Sequence, residues 1–299
     1  MITDHRRLLA DDAPLRVGIV LYGGGHAELD RLLRGLSAAA AEPGAPGVRV
    51  SFLDQSPAPA RAPSPVASPA SGESNSALAE FFAVRGLEAA YGCGDNRGFG
   101  AGQNRLLREA FADPSCEAAL CLNPDAVLHP GALAALWRAL AAAPRPSLIE
   151  ALQFPIEHQK VYDPSTLETP WCVGCALLIP RAVYAGVGGF DERFFLYCED
   201  VDLSWRARAA GFGARVEPRA LAHHHVDDRG LEPVRRAHFL RSAALLGMKY
   251  GDRDFAKVRC DELRTMGALA PPLVVEEPGP ALRTVCDFGH GYTFAEARW

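Results

Sequence analysis

A chain of 299 residues, 48% hydrophobic and 22% charged, can bury a substantial core as one large α/β domain or as a domain with a small extension, which excludes disorder throughout. A formal net charge of −5, with basic residues scattered mainly as arginine, leaves no surface expected to attract nucleic acid. No stretch approaches the roughly 18 apolar residues of a membrane-spanning helix, so the chain is expected in the cytoplasm, with a peripheral position at the inner face of the membrane left open.

The first element expected is a strand. Arg16-Val-Gly-Ile-Val-Leu-Tyr22 is a nearly continuous apolar run ending in three glycines, as for a parallel strand buried on both faces that enters a tight turn. Leu29, Leu32, Leu33 and Leu36 then recur at helical spacing, and Pro43-Gly44 with Pro46-Gly47 separates that helix from a second strand over 48–53. This strand-helix-strand unit predicts a parallel sheet. Residues 56–76 are mostly Pro, Ala and Ser, a composition that cannot repay the entropy of ordering and predicts a mobile insertion.

Beyond it, glycines crowd the turn from Tyr91 to Asn104, before a helical pattern resumes over 105–111. Residues 117–122 form a short buried strand that stops at Asn123-Pro124-Asp125, leaving a carboxylate at the strand's C-terminal end, the edge where open parallel sheets bind ligands. A helix is expected over 131–143 and a strand over 171–179. Cys172 and Cys175 of that strand lack the helix N-terminus that would make a reactive dithiol, and the eight irregularly spaced cysteines suit free thiols. A further helix runs from Glu199-Asp200 through Leu203 and Trp205 to a stop at Gly211. After His223-His224-His225, an amphipathic helix over 233–250 offers a surface for a homodimer. Aperiodic residues 256–299 read as a C-terminal extension to a domain spanning 1–255.

Asp125, the Glu199-Asp200 pair and the histidine cluster all fall after expected strands or at loop-helix junctions. Transfer from a nucleotide diphosphate sugar has two demands that such groups meet: neutralising charge on the departing diphosphate and taking a proton from the attacking hydroxyl. A divalent cation on Asp125 and a histidine serves the first, and a carboxylate of Glu199-Asp200 the second. Adjacent side chains in an extended segment point to opposite faces, so either His223 with His225, or His224 alone, can share that site.

These pieces occur in an order that resembles the inverting family 2 glycosyltransferases of GT-A fold, particularly the rhamnosyltransferase-like branch. The resemblance rests on Val17 to Tyr22, Leu53-Asp54-Gln-Ser56, Asn96-Arg-Gly-Phe-Gly-Ala-Gly-Gln-Asn104, Leu122-Asn-Pro-Asp125, and Gly188 to Asp202 with Arg206. It implies an α/β, Rossmann-like nucleotide-diphospho-sugar transferase fold with a mostly parallel sheet and helices on both faces. It places Tyr22 and Asp54 around the nucleoside, and Asn96, Gly98, Asn104 and Asn123 in the nucleotide-sugar pocket. It makes Asp200 the catalytic base, Asp125 and His223 the ligands of Mg2+ or Mn2+, and Trp171, Gly174 and Glu199 the acceptor side. It implies rhamnose as the first candidate sugar and a glycan or lipid-linked glycan of a cell-surface polysaccharide as acceptor. Two departures stand out: Gly23 replaces the Asn usual after the first-strand Tyr, and Asn123 replaces the first acidic residue of the metal motif.

Each feature also has a plainer reading. Asp125 suits a turn after proline, Glu199-Asp200 suits the acidic first turn of a helix, and Asp202 with Arg206 is spaced for a structural i,i+4 pair. A catalytically silent nucleotide-sugar-binding module is the competing function, since fold alone does not guarantee activity. A sugar nucleotidyltransferase is disfavoured because Gly23-Gly24-Gly25-His26 supplies no Lys or Arg for a phosphate loop.

Overall fold

The computed structural model describes residues 15–23, 26–57, 88–158, 160, 162–224 and 232–288. β1 (Leu15–Leu21), whose apolar side chains are buried, pairs in parallel with β2 (Val48–Asp54) on one side and β4 (Ala118–Leu122) on the other. β2 in turn pairs in parallel with β3 (Glu88–Cys93). The connections carry α1 (His26–Ala41) and α2 (Phe99–Ala112). Most of the Pro/Ala/Ser-rich stretch expected to be a mobile insertion, from residue 58 onward, lies outside the described residues.

The second half continues the sheet differently. β5 (Ala126–Leu128), α3 (Ala132–Ala142), β6 (Ser147–Phe154), β7 (Ala176–Pro180), α4 (Arg181–Val187), α5 (Glu199–Ala209) and β8 (Gly213–His224) complete an eight-stranded order β3-β2-β1-β4-β7-β6-β8-β5. β7 is antiparallel to both β4 and β6, β5 is antiparallel to β8, and β6 runs parallel to β8. Because β7 alone is reversed between β4 and β6, the C-terminal ends of β1, β2, β4, β6 and β8 share one edge with the N-terminal end of β7.

Helices cover both faces. Leu32, Leu33 and Leu36 of α1 and Leu133 and Leu136 of α3 pack with Ile19, Leu120 and Leu178 in one core. Leu107 and Phe111 of α2, Val183 of α4 and Leu203 of α5 pack with Cys121, Leu148 and Leu177 in the other. Each fully buried leucine contributes about 1.5–3 kcal/mol from leaving water.

The strand expected from Trp171 starts only at Ala176. The amides of Cys172, Val173 and Gly174 donate to side chains instead of a neighbouring strand: to Ser204 Oγ at 2.9 Å, to the Glu150 carboxylate, and to Asp200 Oδ2 at 2.9 Å. β6 has no counterpart in the sequence reading, because Glu150 and Gln153 break its apolar run although both are buried here. In β8, Ala151 pairs with Glu217 and Leu152 with Leu221, so Pro218, Arg219 and Ala220 form a bulge. Proline has no N–H for the ladder, and a bulge is where a strand accommodates it.

α6 (Pro233–Lys249), α7 (Arg253–Thr265) and α8 (Pro280–Arg283) follow. Asp252 caps α7 by accepting from the Phe255 amide at 2.8 Å, and Phe288 packs its ring 5.2 Å from Trp205 and 4.8 Å from Phe255. Part of the segment read as an extension is therefore in contact with α5. α5 is also tied to α6 through Asp202, which is fully buried and accepts from Arg206 Nε at 2.7 Å, Tyr250 Oη at 2.8 Å and the Lys249 ammonium. Removing one partner of such a buried cluster leaves cations without their counter-charge. Asp202→Ala is expected to lower unfolding stability by about 3–5 kcal/mol, read from urea denaturation, and a loss below 1 kcal/mol would reject this account of how α5 is anchored.

Candidate functional site

The ligand edge of the sheet gathers most of the residues singled out by sequence. On the β1–β2 side, Tyr22 follows β1 and is 60% exposed, whereas Asp54 at the end of β2 is buried and accepts from the Ser56 amide at 2.9 Å. Gly23 adopts φ +68° and donates its amide to Ser56 Oγ at 2.8 Å. That left-handed conformation is one that Gly adopts freely and Asn tolerates.

The glycine-rich turn enters α2 beside the loop that precedes α5. Exposed Asn96 accepts from the Gly98 amide at 3.1 Å, and the Phe99 amide donates to the Phe195 carbonyl at 2.9 Å. A Cβ on Gly98, which has φ +95°, would come within 2.1 Å of that carbonyl oxygen. Asn104 faces the same loop: its Nδ2 donates to the Phe190 carbonyl at 2.8 Å and to Glu192 Oε1 at 3.1 Å, and its Oδ1 accepts from the Phe190 amide at 2.8 Å. In this structure Asn96, Gly98 and Asn104 hold the turn and the loop before α5 together.

Asp125 stands just past β4, with its side chain 44% exposed and Oδ1 3.3 Å from Nε2 of His224. The register decides which histidine reaches it. Ala126 pairs with His224, which brings that imidazole to the Asp125 side, while Val127 pairs with His223, whose ring lies 5.2 Å from that of Phe154. His224, not the expected His223, therefore joins Asp125, and His225 lies outside the described residues. Burial opposes a charge on His224, but the Cys175 sulfur and the Asp125 carboxylate outweigh it and raise the imidazole pKa. Asn123 donates its backbone amide to the Cys175 carbonyl at 2.8 Å, and its buried Oδ1 has no hydrogen-bond partner among the described residues.

A carboxylate and an imidazole held this close, with an unpartnered amide oxygen nearby, fit a divalent cation whose remaining oxygen ligands come from a substrate's phosphates and water. No group of three or more His, Cys, Asp or Glu side chains able to hold a metal by themselves occurs among the described residues.

Asp200 begins α5. Its Oδ2 accepts from the Gly174 amide at 2.9 Å and its Oδ1 from the Val201 amide at 2.8 Å, so the carboxylate is fixed at both oxygens while each retains further acceptor capacity. Burial raises its pKa and these two amides partly offset the effect. The helix entry is strained, since Tyr197 and Cys198 adopt φ +72° and +63° in succession, each costing on the order of 1–3 kcal/mol.

Of the three residues expected on the acceptor side, Gly174 donates its amide to Asp200, whereas Trp171 and Glu199 are only 2% and 5% exposed, and so neither presents a side chain to an acceptor here. Trp171 is covered by Lys160, whose ammonium lies 4.4 Å from the ring centroid, 2.6 Å from the Trp171 carbonyl oxygen and 2.6 Å from Glu150 Oε1. Glu150 and Lys160 were missed in the sequence because charged residues are rarely buried unless paired; the only signal was Glu150 within an apolar run flanked by prolines. The cysteines of the Cys172-x-x-Cys175 spacing are buried free thiols with raised pKa values, as befits inert core residues.

No protein-family model matches the chain. Two curated relatives align over about a quarter of it. One is the N-acetylglucosaminyl-diphospho-decaprenol L-rhamnosyltransferase of Mycobacterium tuberculosis (strain H37Rv), 40% identical over 77 residues that cover 25% of each chain. The other is the rhamnosyltransferase WbbL of Escherichia coli K12, 33% identical over 76 residues that cover 25% of this chain and 28% of that one. Among solved structures, GalNAc-T7 with UDP, GalNAc and Mn2+ superposes with TM-score 0.58 at 12% identity over 92% of this chain and 54% of that one. The mannosyltransferase PcManGT from Pyrobaculum calidifontis, in complex with GDP-Man and Mn2+, superposes with TM-score 0.56 at 16% identity over 87% and 79%. The chain has a GT-A fold, and over about a quarter of its length it is similar to two rhamnosyltransferases. In this GT-A chain the parallel half of the sheet carries Tyr22, Asp54 and Asp125, while the turn before β7 and the start of α5 carry Gly174 and Asp200.

Glu199 offers a test of the electrostatics beside Asp200. Burial and the neighbouring Asp200 charge push its pKa well above the ordinary 4.5, and its Oε2 has no partner among the described residues. A carboxyl whose pKa is raised on folding loses stability as pH climbs above its unfolded value, because ionisation is harder in the native state. Glu199→Gln is therefore expected to melt higher than the wild type at neutral pH, with the difference shrinking toward pH 4.5, as read by thermal unfolding across a pH series.

Proposed function

We propose that this chain is an inverting glycosyltransferase that moves a sugar, with rhamnose the first candidate, from a nucleotide diphosphate donor to a hydroxyl of a glycan or lipid-linked glycan acceptor. The observation that carries this reading is the pairing of a fixed carboxylate with a candidate cation site: Asp200 is held by the Gly174 amide, and Asp125 meets His224, at the same edge of the sheet.

In this reading Asp200 accepts the proton of the acceptor hydroxyl as its oxygen attacks the anomeric carbon from the face opposite the departing diphosphate. Its raised pKa strengthens it as a base relative to an exposed aspartate. Asp125 and His224 would hold Mg2+ or Mn2+, which when bound neutralises charge on the leaving diphosphate. Both superposed structures hold Mn2+, one with UDP and the other with GDP-Man, which supports that assignment by analogy of fold. Tyr22 and the buried Asp54 flank the space proposed for the nucleoside. No described helix is long and apolar enough to cross a membrane, and we assign contact with a lipid-linked acceptor to a peripheral, cytoplasmic-side position.

Asp200→Asn is expected to lower kcat by about 100- to 10,000-fold while leaving donor affinity nearly unchanged, measured as nucleoside diphosphate release alongside donor binding. Normal turnover by that variant would sink the base assignment. In the wild type, kcat/KM should fall on acidification through a pKa above the ordinary 3.8 of aspartate, since only the ionised carboxylate accepts the proton. Thermal unfolding with thymidine, uridine, guanosine or cytidine diphosphate, each with and without Mg2+ or Mn2+, should give a metal-dependent rise for one base, lost in Asp125→Ala. Metal-dependent binding without turnover on any acceptor would instead favour a silent nucleotide-sugar-binding module.

A further inference from the structure

β6 sends a second polar side chain to the ligand edge. Gln153, 4% exposed, pairs in register with Ala222 and so shares a sheet face with His224, two residues further along β8. Its Oε1 lies 2.8 Å from His224 Nδ1. An amide oxygen only accepts, so Nδ1 carries a proton and donates it. In the neutral ring, Nε2 is then the unprotonated nitrogen, and it is Nε2 that lies 3.3 Å from Asp125 Oδ1. Cys175 is the other titratable group against the imidazole, and Ala126 is its neighbour on β5.

We propose that Gln153 is a positioning residue that holds His224 in the tautomer and orientation in which Nε2 joins Asp125 in binding a divalent cation. This rests on the metal-dependent reading above. Without an acceptor at Nδ1, the neutral imidazole is free to carry its proton on Nε2, and no lone pair then faces Asp125. A partner that fixes the far nitrogen of a metal-binding histidine typically governs about 10- to 100-fold in metal affinity.

The test is the binding of Mn2+ alone to the full chain, followed by the electron paramagnetic resonance signal of the free ion, in the wild type, Gln153→Leu, Gln153→Met, Gln153→Glu and His224→Ala. Leu and Met remove the acceptor, in branched and unbranched shapes, so that one well-folded apolar variant suffices; melting of the metal-free proteins reports folding separately. The expected result is Mn2+ binding weakened by about 10- to 100-fold in the apolar variants with metal-free melting near that of the wild type. Gln153→Glu, whose carboxylate accepts the same N–H, should restore it. Wild-type affinity in a folded Leu or Met variant, with binding lost in His224→Ala, overturns the role of Gln153 and leaves the metal site standing. Absence of Mn2+ binding by the wild type, both alone and with each nucleoside diphosphate present, overturns the metal reading itself, and this inference with it.

Discussion

The arrangement of the site depends on the capture of three consecutive backbone amides by side chains. Cys172, Val173 and Gly174 donate to Ser204, Glu150 and Asp200, which come from α5 and β6. Amides so engaged are unavailable to a sheet ladder, so β7 begins only at Ala176 and the preceding residues turn across the ligand edge. The same bonds orient the Asp200 carboxylate. Glu150 is able to serve because Lys160 neutralises it, and the Lys160 ammonium in turn bonds the Trp171 carbonyl and lies over the Trp171 ring. A buried ion pair is tolerable when its remaining donors and acceptors are satisfied in this way.

A second constraint joins the two halves of the edge. The turn that begins α2 is anchored to the loop before α5 by the Phe99 amide on the Phe195 carbonyl and by Asn104 on both backbone groups of Phe190. Strain at Tyr197 and Cys198 is thus held between α2, through that loop, and α6, whose Phe239 meets the Tyr197 ring. Displacement of the loop on either side would be felt at Asp200, which follows it directly. The glycine-rich turn and the candidate base are in this sense parts of one packed unit.

Much of the fold was legible. The apolar runs at β1, β2 and β4 and the leucine spacing of α1 are local patterns, and they led to a parallel sheet; helices on both faces followed only from the resemblance. β6 was not legible, because Glu150 and Gln153 look like surface residues until their partners, Lys160 and His224, are brought to them. Trp171 and Glu199 were misplaced at an acceptor surface for the converse reason: residue type does not say how deeply the chain will cover a side chain.

By itself the sequence determined the α/β class of fold, the strands that end at Asp54 and shortly before Asp125, the helix start at Glu199-Asp200, and the structural role of Asp202 with Arg206, since each follows from periodicity, spacing or a chain-breaking residue close by. Tertiary structure alone decided that His224 rather than His223 meets Asp125. That choice turns on strand register, where a shift of one residue sends a side chain to the other face, and register is set by pairing with β5 and β6 rather than by anything within the histidine run.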